Sequence, residues 1–461
     1  MAGVTRRLVF EGAYVATVDA AGSEFAAGHV VVDDSRIVAV GDGPAPEWAG
    51  RASGDVTVER IDARGRLLTP GLVNTHHHLY QWLTRGIAQD SILFDWLVAL
   101  YPTWARIDET LVEAGAEAGL SVLAKSGCTL AADHHYVFPA GSGDILGGIV
   151  RAAARVGIRL HGTRGSMDLG RSAGGLPPDF AVETTSAALE ASAVAVEKYH
   201  DASPDAMTQI ALAPCSPFSV TSDLLREAAV LGRSLGVRLH THGSETVEED
   251  AFCQERFGKT PTQYLDDLGW LGDDVWMAHS VHLDEHAIAR FGSTGTGSAH
   301  CPSSNARLAA GIAPIPQLLA AGAPVGLGVD GSASNESGQL GTEIRQAVLM
   351  NRLRAGADGF SVRDGLRIAT IGGARVLGRD ADLGSIEVGK LADLALWDVS
   401  GVEFAGLVDP VAALGLASMP PVAGLFVGGD RVVTDGRLTT VDEVGVAEAA
   451  ARATTELLGR V

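Results

Sequence analysis

Three consecutive histidines end a short apolar run near residue 70, and they are the first residues of the chain that could bind a metal ion. The run from Pro70 to Thr75 leads directly into His76, His77 and His78. If this segment is extended, side chains alternate between its two faces, so His76 and His78 point the same way and His77 points away. Two neutral imidazoles on one face can bind a zinc ion or a similar metal. Taken alone, the run is more typical of a polar strand end.

Further residues that could bind metal or move protons follow later apolar stretches of the chain. A single residue of this kind is usually structural, but six stretches that each end in His or Asp are improbable by coincidence. The residues are Asp133, His134, His135, Arg164, His240, His242, Glu245, His279, His282, His300 and Asp330.

The apolar stretches that carry these residues alternate with amphipathic segments from about residue 67, which predicts βα units and a parallel sheet. Eight such units indicate an α/β fold, a closed (β/α)8 TIM barrel, whose active site lies at the carboxyl ends of the strands. An open doubly wound sheet is the alternative, although no Gly-x-Gly-x-x-Gly follows the first strand. The predicted strands are Leu68–Asn74, Thr129–Asp133, Ile158–Thr163, Ile210–Pro214, Val237–His242, Val275–His279, Gly297–His300 and Val325–Asp330.

Two β-rich segments flank the barrel, residues 1–66 before it and residues 382–461 after it. We expect them to pair into one smaller, discontinuous β-sandwich domain, which leaves residues 67–381 for the barrel. Their strand-like stretches are Leu8–Val18, His29–Val40, Val56–Ile61, Leu391–Trp397 and Val422–Val433, with a short helix around Pro46–Ala52, a hairpin turn at Gly428–Asp430 and a final helix over Val441–Leu458.

Composition narrows the class of protein. A chain of 461 residues accommodates a barrel of about 250 residues or more with an appendage. The net charge of −21 argues against nucleic acid or an anionic membrane as a partner. The four cysteines are far apart and form no Cys-x-x-Cys, and no apolar run has the length of a signal peptide or a membrane span. A cytoplasmic enzyme is expected.

Several motifs of the chain, taken together, resemble one known family. They are P-G-L-V-N-T-H-H-H, H-T-H-G-S-E, A-H-S-V-H-L, V-D-G-S-A-S-N and the late G-S-I-E-V-G-K-L-A-D-L-A-L-W. This set is similar to the amidohydrolase superfamily, in its deaminase and chlorohydrolase branch, over nearly the whole chain. The resemblance implies one divalent metal ion, Zn or alternatively Fe, bound by His76, His78, His242 and Asp330. It also implies that Glu245 and His279 handle protons and orient the reacting groups.

The chemistry of these residue types agrees with that implication. Three histidines and one aspartate leave a position open for water, as a catalytic rather than a structural metal site requires. Asp330 can accept a proton from water, His279 can hydrogen-bond an oxyanion, and Glu245 can protonate a ring nitrogen. A second, carboxylate-bridged metal would need a lysine at the fourth strand, where Ile210–Pro214 has none. The sequence therefore predicts a mononuclear site.

The resemblance also narrows the substrate. This branch hydrolyses C–N or C–Cl bonds of electron-poor heterocycles, and Gln81 stands where its guanine deaminases carry a glutamine that contacts substrate. Stretches such as His78–Arg85 and Thr163–Gly170 are similar to members that deaminate 8-oxoguanine. We expect an ammonia-releasing aminohydrolase of 8-oxoguanine or a related ring such as isocytosine. Gln81, Trp96 and Arg164 are the predicted ring contacts.

The sequence leaves two alternative functions open and favours one assembly state. The frame also resembles the triazine hydrolases, so an s-triazine amino- or chlorohydrolase is the alternative enzyme. Its members carry glutamate and threonine where this chain has Gln81 and Asp330, which favours deamination. A catalytically inactive barrel used for binding is the alternative outside enzymes. A homo-oligomer is expected.

Overall fold

The chain begins with five strands of a mixed sheet that lies outside the barrel. The computed structural model describes residues 4–52 and 55–461. The stretch predicted as one strand over His29–Val40 is a hairpin, which turns at Asp34 and Ser35. The strands are β1 (Thr5–Ala16), β2 (Glu24–Asp33), β3 (Arg36–Asp42), β4 (Val56–Asp62) and β5 (Arg66–Pro70).

Eight parallel strands then form a closed barrel, as predicted. Each strand pairs with the next along the chain, and Leu327 of the last strand pairs with Asn74 of the first to close it. The barrel brings the carboxyl ends of all eight strands to one face. The strands are β6 (Leu72–Asn74), β7 (Cys128–His135), β8 (Arg159–Ser166), β9 (Thr208–Pro214), β10 (Leu239–Gly243), β11 (Val275–His279), β12 (Gly297–His300) and β13 (Val325–Leu327).

Helices connect the barrel strands, and side-chain caps fix where many of them start. Asp108, Thr221 and Thr246, for example, each accept a hydrogen bond from a backbone N–H of the first turn. Among the described residues no helix is long and apolar enough to cross a membrane. The helices are α1 (Leu93–Trp104), α2 (Glu109–Lys125), α3 (Ile145–Val156), α4 (Thr185–Tyr199), α5 (Ser222–Leu235), α6 (Val247–Phe257), α7 (Pro261–Asp267), α8 (Glu285–Thr294), α9 (Pro302–Arg307), α10 (Ile315–Ala320), α11 (Leu340–Ala355), α12 (Val362–Arg367) and α13 (Gly373–Val376).

The last part of the chain returns to the first sheet. Strand β14 pairs with β5, so the two terminal segments share one nine-stranded sheet. Phe10 of β1 and Phe426 of β15 are three strands apart in this sheet, yet their ring centroids are 5.0 Å apart. The sheet therefore folds over on itself around a shared core. The elements are β14 (Leu394–Asp398), α14 (Ala412–Leu416), β15 (Val422–Val427), β16 (Asp430–Thr434), β17 (Arg437–Leu438) and α15 (Glu443–Gly459).

Three further predicted elements differ from the structure in their limits or in their type. The strand predicted over Leu68–Asn74 is two strands, β5 in the sheet and β6 in the barrel. Gly71 separates them, and a Cβ there would lie 2.3 Å from the Thr129 side chain. The strand predicted to reach Asp330 ends at Leu327, since the chain turns out of the barrel at Asp330 with φ 64°. The helix predicted around Pro46 is a single 3-10 turn, Glu47–Gly50.

Candidate active site

The four predicted metal ligands come together at the carboxyl face of the barrel. His76 and His78 follow β6, His242 lies in β10 and Asp330 follows β13, and all four are buried. The Nε2 atoms of His78 and His242 are 3.1 Å apart, and Asp330 Oδ1 lies 3.3 Å from Nε2 of both His76 and His78. His77 points the other way, towards Gly119 of α2, as strand alternation predicts.

The hydrogen bonds behind His78 and His242 show what lies between their rings. His78 Nδ1 is 2.6 Å from the carbonyl oxygen of His134, and His242 Nδ1 is 2.6 Å from that of Cys215. A carbonyl oxygen only accepts, so each Nδ1 carries the proton of its neutral ring and each Nε2 presents a lone pair. Two lone pairs 3.1 Å apart repel each other unless a cation lies between them. This arrangement fits a metal ion.

His76 has the same free nitrogen, but another histidine holds its ring. His240 Nδ1 donates to the carbonyl oxygen of Trp276 at 2.9 Å, which leaves His240 Nε2 to accept from His76 Nδ1 at 2.8 Å. His76 Nε2 therefore faces Asp330 without a proton. Burial lowers the pKa of His76, His78 and His242 below the usual value, so the rings are neutral, as metal ligands must be.

Asp330 supplies the negative charge of the cluster. Burial by itself would disfavour the charge, but Asp330 Oδ1 accepts the backbone N–H of Gly331 at 2.6 Å, and donors to a carboxylate favour its ionised form. Its Oδ2 accepts hydrogen bonds from the hydroxyls of Ser304 at 2.5 Å and Ser334 at 3.2 Å. Three neutral histidines and one ionised carboxylate form a donor set that suits a divalent metal.

The two predicted proton-handling residues lie beside this cluster. His279 Nε2 is 3.5 Å from Glu245 Oε2 and 3.9 Å from Asp330 Oδ2, and His279 Nδ1 donates to Asn305 Oδ1 at 3.0 Å. Burial, with the charges of Asp330 and Glu249, raises the pKa of Glu245 well above its usual value. This shift favours the protonated form of Glu245, which is the form that a general acid needs.

The backbone at this face adopts conformations that non-glycine residues rarely take. The φ angles are 55° at Ser244, 74° at His279, 51° at Ser280 and 64° at Asp330. These four residues lie where the chain leaves the barrel strands β10, β11 and β13. Left-handed non-glycine residues cost about 1–3 kcal/mol each and cluster at functional sites.

A pocket lined by His78, His242 and His279 opens onto the cluster. Gln81 is fully buried there, and neither its amide nitrogen nor its amide oxygen has a hydrogen-bond partner in the described part of the chain. Trp96 lines the same pocket, with its indole N–H 3.3 Å from the carbonyl oxygen of Ala333. The structure thus brings two of the three predicted ring contacts to the site.

Arg164, the third predicted ring contact, lies outside this pocket. Its guanidinium donates to Glu183 at 2.7 Å and stacks 3.6 Å from the centre of the Phe138 ring, in a separate cavity beside α3 and α4. The reason is the alternation of β8. His161 faces the barrel interior against Trp276, so Arg164, three positions later, faces the surrounding helices.

Several residues of the pocket carried no clear signal in the sequence. Tyr101 lies in α1, in the aromatic-rich segment between the first two barrel strands, and its buried hydroxyl has no partner among residues 4–52 and 55–461. Tyr136 directly follows His134 and His135, which the sequence singles out. The leucines of the pocket, in contrast, belong to no sequence pattern that marks a site. The lining residues that were not predicted are Leu93, Leu97, Tyr101, Tyr136, Cys215, Phe218 and Leu308.

Comparison with known proteins places this geometry in a family. The model of the amidohydrolase family matches residues 67–438. The chain belongs to this family. It is 46% identical to 8-oxoguanine deaminase of Pseudomonas aeruginosa over 422 residues, which cover 90% of this chain and 92% of that protein. It is 37% identical to hydroxydechloroatrazine ethylaminohydrolase of Pseudomonas sp. strain ADP, over 94% of this chain and 92% of that protein.

Solved structures of the family superpose on almost the whole chain. A triazine hydrolase from Arthrobacter aurescens has a TM-score of 0.91 at 32% identity, and the match covers 97% of this chain and 99% of that one. The atrazine chlorohydrolase of Arthrobacter aurescens TC1, complexed with zinc, has a TM-score of 0.90 at 31% identity, over 97% and 100% of the two chains. The predicted family and fold are confirmed.

Proposed function

We propose that the protein is a metal-dependent hydrolytic deaminase of an amino-substituted N-heterocycle, and that it releases ammonia. The observation that carries the proposal is the position of Glu245. Burial raises the pKa of this carboxyl, which favours its protonated form, and it lies beside the histidine–aspartate cluster, at a pocket lined by aromatic rings. Such a group can protonate a ring nitrogen while water attacks the adjacent carbon.

His76, His78, His242 and Asp330 would hold one divalent metal ion, for which we propose zinc, with iron as the alternative. When bound, the ion supplies Lewis-acid activation of water. The absence of a lysine from β9 supports a single ion per chain. The zinc in the similar atrazine chlorohydrolase supports the choice of metal.

The side chains around the cluster divide the proton transfers between them. Because the Asp330 carboxyl is ionised, it can accept a proton from the attacking water. Asp330 Oδ2 lies 3.9 Å from His279 Nε2. Glu245 gives its proton to the ring, and either carboxyl then protonates the departing amine. Asn305 holds the His279 ring through Nδ1, so His279 can hydrogen-bond the developing oxyanion through Nε2 when that nitrogen has also taken up a proton.

We propose 8-oxoguanine as the substrate, or a related ring such as isocytosine. The 46% identity to 8-oxoguanine deaminase supports this choice. Gln81 supports it as well, because its free amide offers one donor and one acceptor to a ring that carries an amide edge. Trp96 gives the ring an apolar wall.

An ammonia-release screen tests the proposal. Metal-replete protein is incubated with 8-oxoguanine, isocytosine, guanine, pterin and cytosine, and its metal content is measured on the same sample. We expect release from 8-oxoguanine or isocytosine and about one metal ion per chain. No release from any of the five rings would overturn the proposal, and a metal content well above one per chain would overturn the mononuclear site.

An s-triazine amino- or chlorohydrolase is the second candidate, and the TM-score of 0.91 to a triazine hydrolase favours it. Release of chloride or of an alkylamine from s-triazine rings, measured beside ammonia release from purines, separates the two. We expect the purine activity to be the larger, since Gln81 and Asp330 favour deamination.

A barrel that binds ligand without turnover is tested by Glu245→Gln. Glutamine keeps the size of the side chain but has no acidic proton, so turnover should fall at least ~100-fold. Equal turnover of the variant and the wild-type protein would favour the alternative without catalysis, or another acid.

We further propose that the partners of the protein are small heterocyclic molecules, and that it acts in the cytoplasm as a homo-oligomer. The net charge of −21 supports the expectation that neither nucleic acid nor a membrane is a partner. Light scattering coupled to gel filtration measures the oligomeric state.

A further inference from the structure

Glu249 is a buried carboxyl that the proposed reaction does not use. It lies in the first turn of α6, four residues after Glu245, and it is fully shielded from solvent. Its Oε1 accepts the backbone N–H of Ser244 at 3.1 Å, and its Oε2 accepts the backbone N–H of Glu245 at 2.7 Å. Both carboxylate oxygens therefore hold the turn that carries the proton donor.

The same turn is bonded to the next one. The carbonyl oxygen of Ser244 accepts the backbone N–H groups of Val281 at 2.8 Å and His282 at 2.9 Å, while Ser280 N–H donates to the Gly243 carbonyl at 3.2 Å. These bonds join the turn after β10 to the turn after β11. Glu245 and His279 are thus positioned by one network that ends at Glu249.

Backbone strain shows why the network needs an anchor. Ser244, His279 and Ser280 all have positive φ angles, between 51° and 74°. Such conformations persist only where surrounding bonds over-determine them. Of the network members named above, Glu249 is the one that binds the Ser244–Glu245 turn through a side chain.

Charge links the two carboxyls as well. After burial and Asp330, the charge of Glu249 is the third cause that raises the pKa of Glu245. Burial raises the pKa of Glu249 itself to about 7, so Glu249 carries its negative charge above that pH. The titratable groups around the pair are Asp330, His242, His279, Cys215 and Cys301 near Glu245, and Asp250 and Cys253 near Glu249.

We propose that Glu249 is a positioning residue for the reaction, which holds Glu245 and His279 in place and acts on Glu245 through its negative charge. This inference rests on the proposed function. Glu249 does not line the substrate pocket, so it works through Glu245 rather than on the substrate.

Two variants separate geometry from charge. Glu249→Gln keeps the length of the side chain but removes the charge and leaves one amide N–H facing a backbone donor. Glu249→Asp keeps the charge but is too short to reach both N–H groups. Asp250→Asn, on the same helix turn and without a bond to the Ser244–Glu245 turn, is the matched control. The readouts are kcat, KM, the pH profile of kcat/KM and the melting temperature.

We expect Glu249→Gln to lower kcat by ~10- to 100-fold and to move the alkaline limb of the profile about one pH unit lower. Glu249→Asp should lower kcat by ~10-fold or more and leave that limb in place. Asp250→Asn should stay within about twofold of the wild type. If Glu249→Gln does not fold, Glu249→Asp decides the geometric role.

Three results would overturn the inference: unchanged kcat in Glu249→Asp, an unmoved limb in folded Glu249→Gln, or losses that Asp250→Asn matches. The wild-type assay tests the proposed function separately. A wild-type protein that is inactive on every ring overturns that proposal, and the inference falls with it. An active wild type with indifferent Glu249 variants overturns the inference alone.

Discussion

At the scale of single residues, the metal site depends on which nitrogen of each histidine is free. Carbonyl oxygens fix the rings of His78 and His242, but His240 fixes the ring of His76. A side chain can be replaced where a carbonyl cannot. His76 is therefore the proposed ligand whose ring orientation can be disturbed selectively by a substitution, at His240.

We expect His240→Ala to weaken metal binding by ~10- to 100-fold, since His76 loses the acceptor that sets its tautomer and ring orientation. Competition with a chromophoric chelator measures the affinity without relying on turnover. His161→Ala is the control, because His161 also packs against Trp276 but is not hydrogen-bonded to any of the candidate ligands. Equal losses in the two variants would show a packing effect only.

Gln81 lets stability and activity be separated at a single position. Its buried amide has no partner within the described chain, so the folded protein bears the cost of burying it. We expect Gln81→Met to leave the melting temperature unchanged or higher, and to lower kcat/KM by ~100-fold or more because the ring loses its hydrogen bonds. A variant that loses stability but keeps kcat/KM would contradict this role.

The sequence allowed some residues to be located and not others, for a geometric reason. Alternation along an extended segment separates His76 and His78 from His77, and the structure shows the same separation. The same rule would have placed Arg164 outside the barrel, had His161 been known to face inwards. Which residues of a strand face the barrel interior is decided by its pairing with neighbouring strands, and the sequence of one strand does not show that pairing.

At the scale of elements, the end of β7 holds the segment that carries two of the proposed metal ligands, His76 and His78. Asp133 Oδ1 accepts the Leu79 N–H at 2.8 Å, and the His134 N–H donates to the His77 carbonyl at 2.6 Å. Burial raises the pKa of Asp133 to about 7, and its Oδ2 has no partner in the chain as described. The Asp133 carboxyl therefore carries a proton that it begins to lose near neutral pH.

Asp133→Asn should make the stability of the protein less sensitive to pH. In the wild type the folded-state pKa of Asp133 lies above its unfolded value of 3.8, so its contribution to stability is complete below that value. This contribution is lost as the pH rises through about 7. Asparagine keeps the acceptor and cannot ionise.

Melting temperatures of wild type and Asp133→Asn between pH 5 and pH 8 check this expectation. The difference, variant minus wild type, should grow as the pH rises. A constant or shrinking difference would show that Asp133 does not titrate in this range.

Most helices and strands could be predicted because the spacing of their apolar residues is clear. The residues at which they end were harder to predict. The run around Gly71 stays apolar where β5 of the sheet passes into β6 of the barrel, so no turn signal marks the change of domain. Asp330 follows an apolar stretch without a break, and only the turn at φ 64° shows that β13 has ended. Tertiary contacts set both limits. The domain limits at residues 66 and 381 stay predictions.

At the scale of the whole molecule, one buried ion pair joins the barrel to the flanking sheet. Arg159, at the start of β8, makes two bonds of 3.0 and 3.1 Å to Asp393, which directly precedes β14. Asp393 also accepts the Gly428 N–H at 2.8 Å. Both charged side chains are almost completely buried, at 2% and 3% exposure, so water cannot solvate one of them when its partner is removed.

Removal of one partner should therefore cost more than removal of both. Asp393→Ala leaves an uncompensated buried guanidinium and should lower the free energy of unfolding by about 3–5 kcal/mol, whereas the double variant with Arg159→Met should recover part of that loss. Urea unfolding of the two single variants and the double variant measures the coupling. Because the pair lies at the amino-terminal ends of the strands, opposite the metal cluster, kcat of the folded variants should stay within about twofold of the wild type. A fall in kcat that follows the loss of stability would instead show that the flanking sheet helps to position the active-site face.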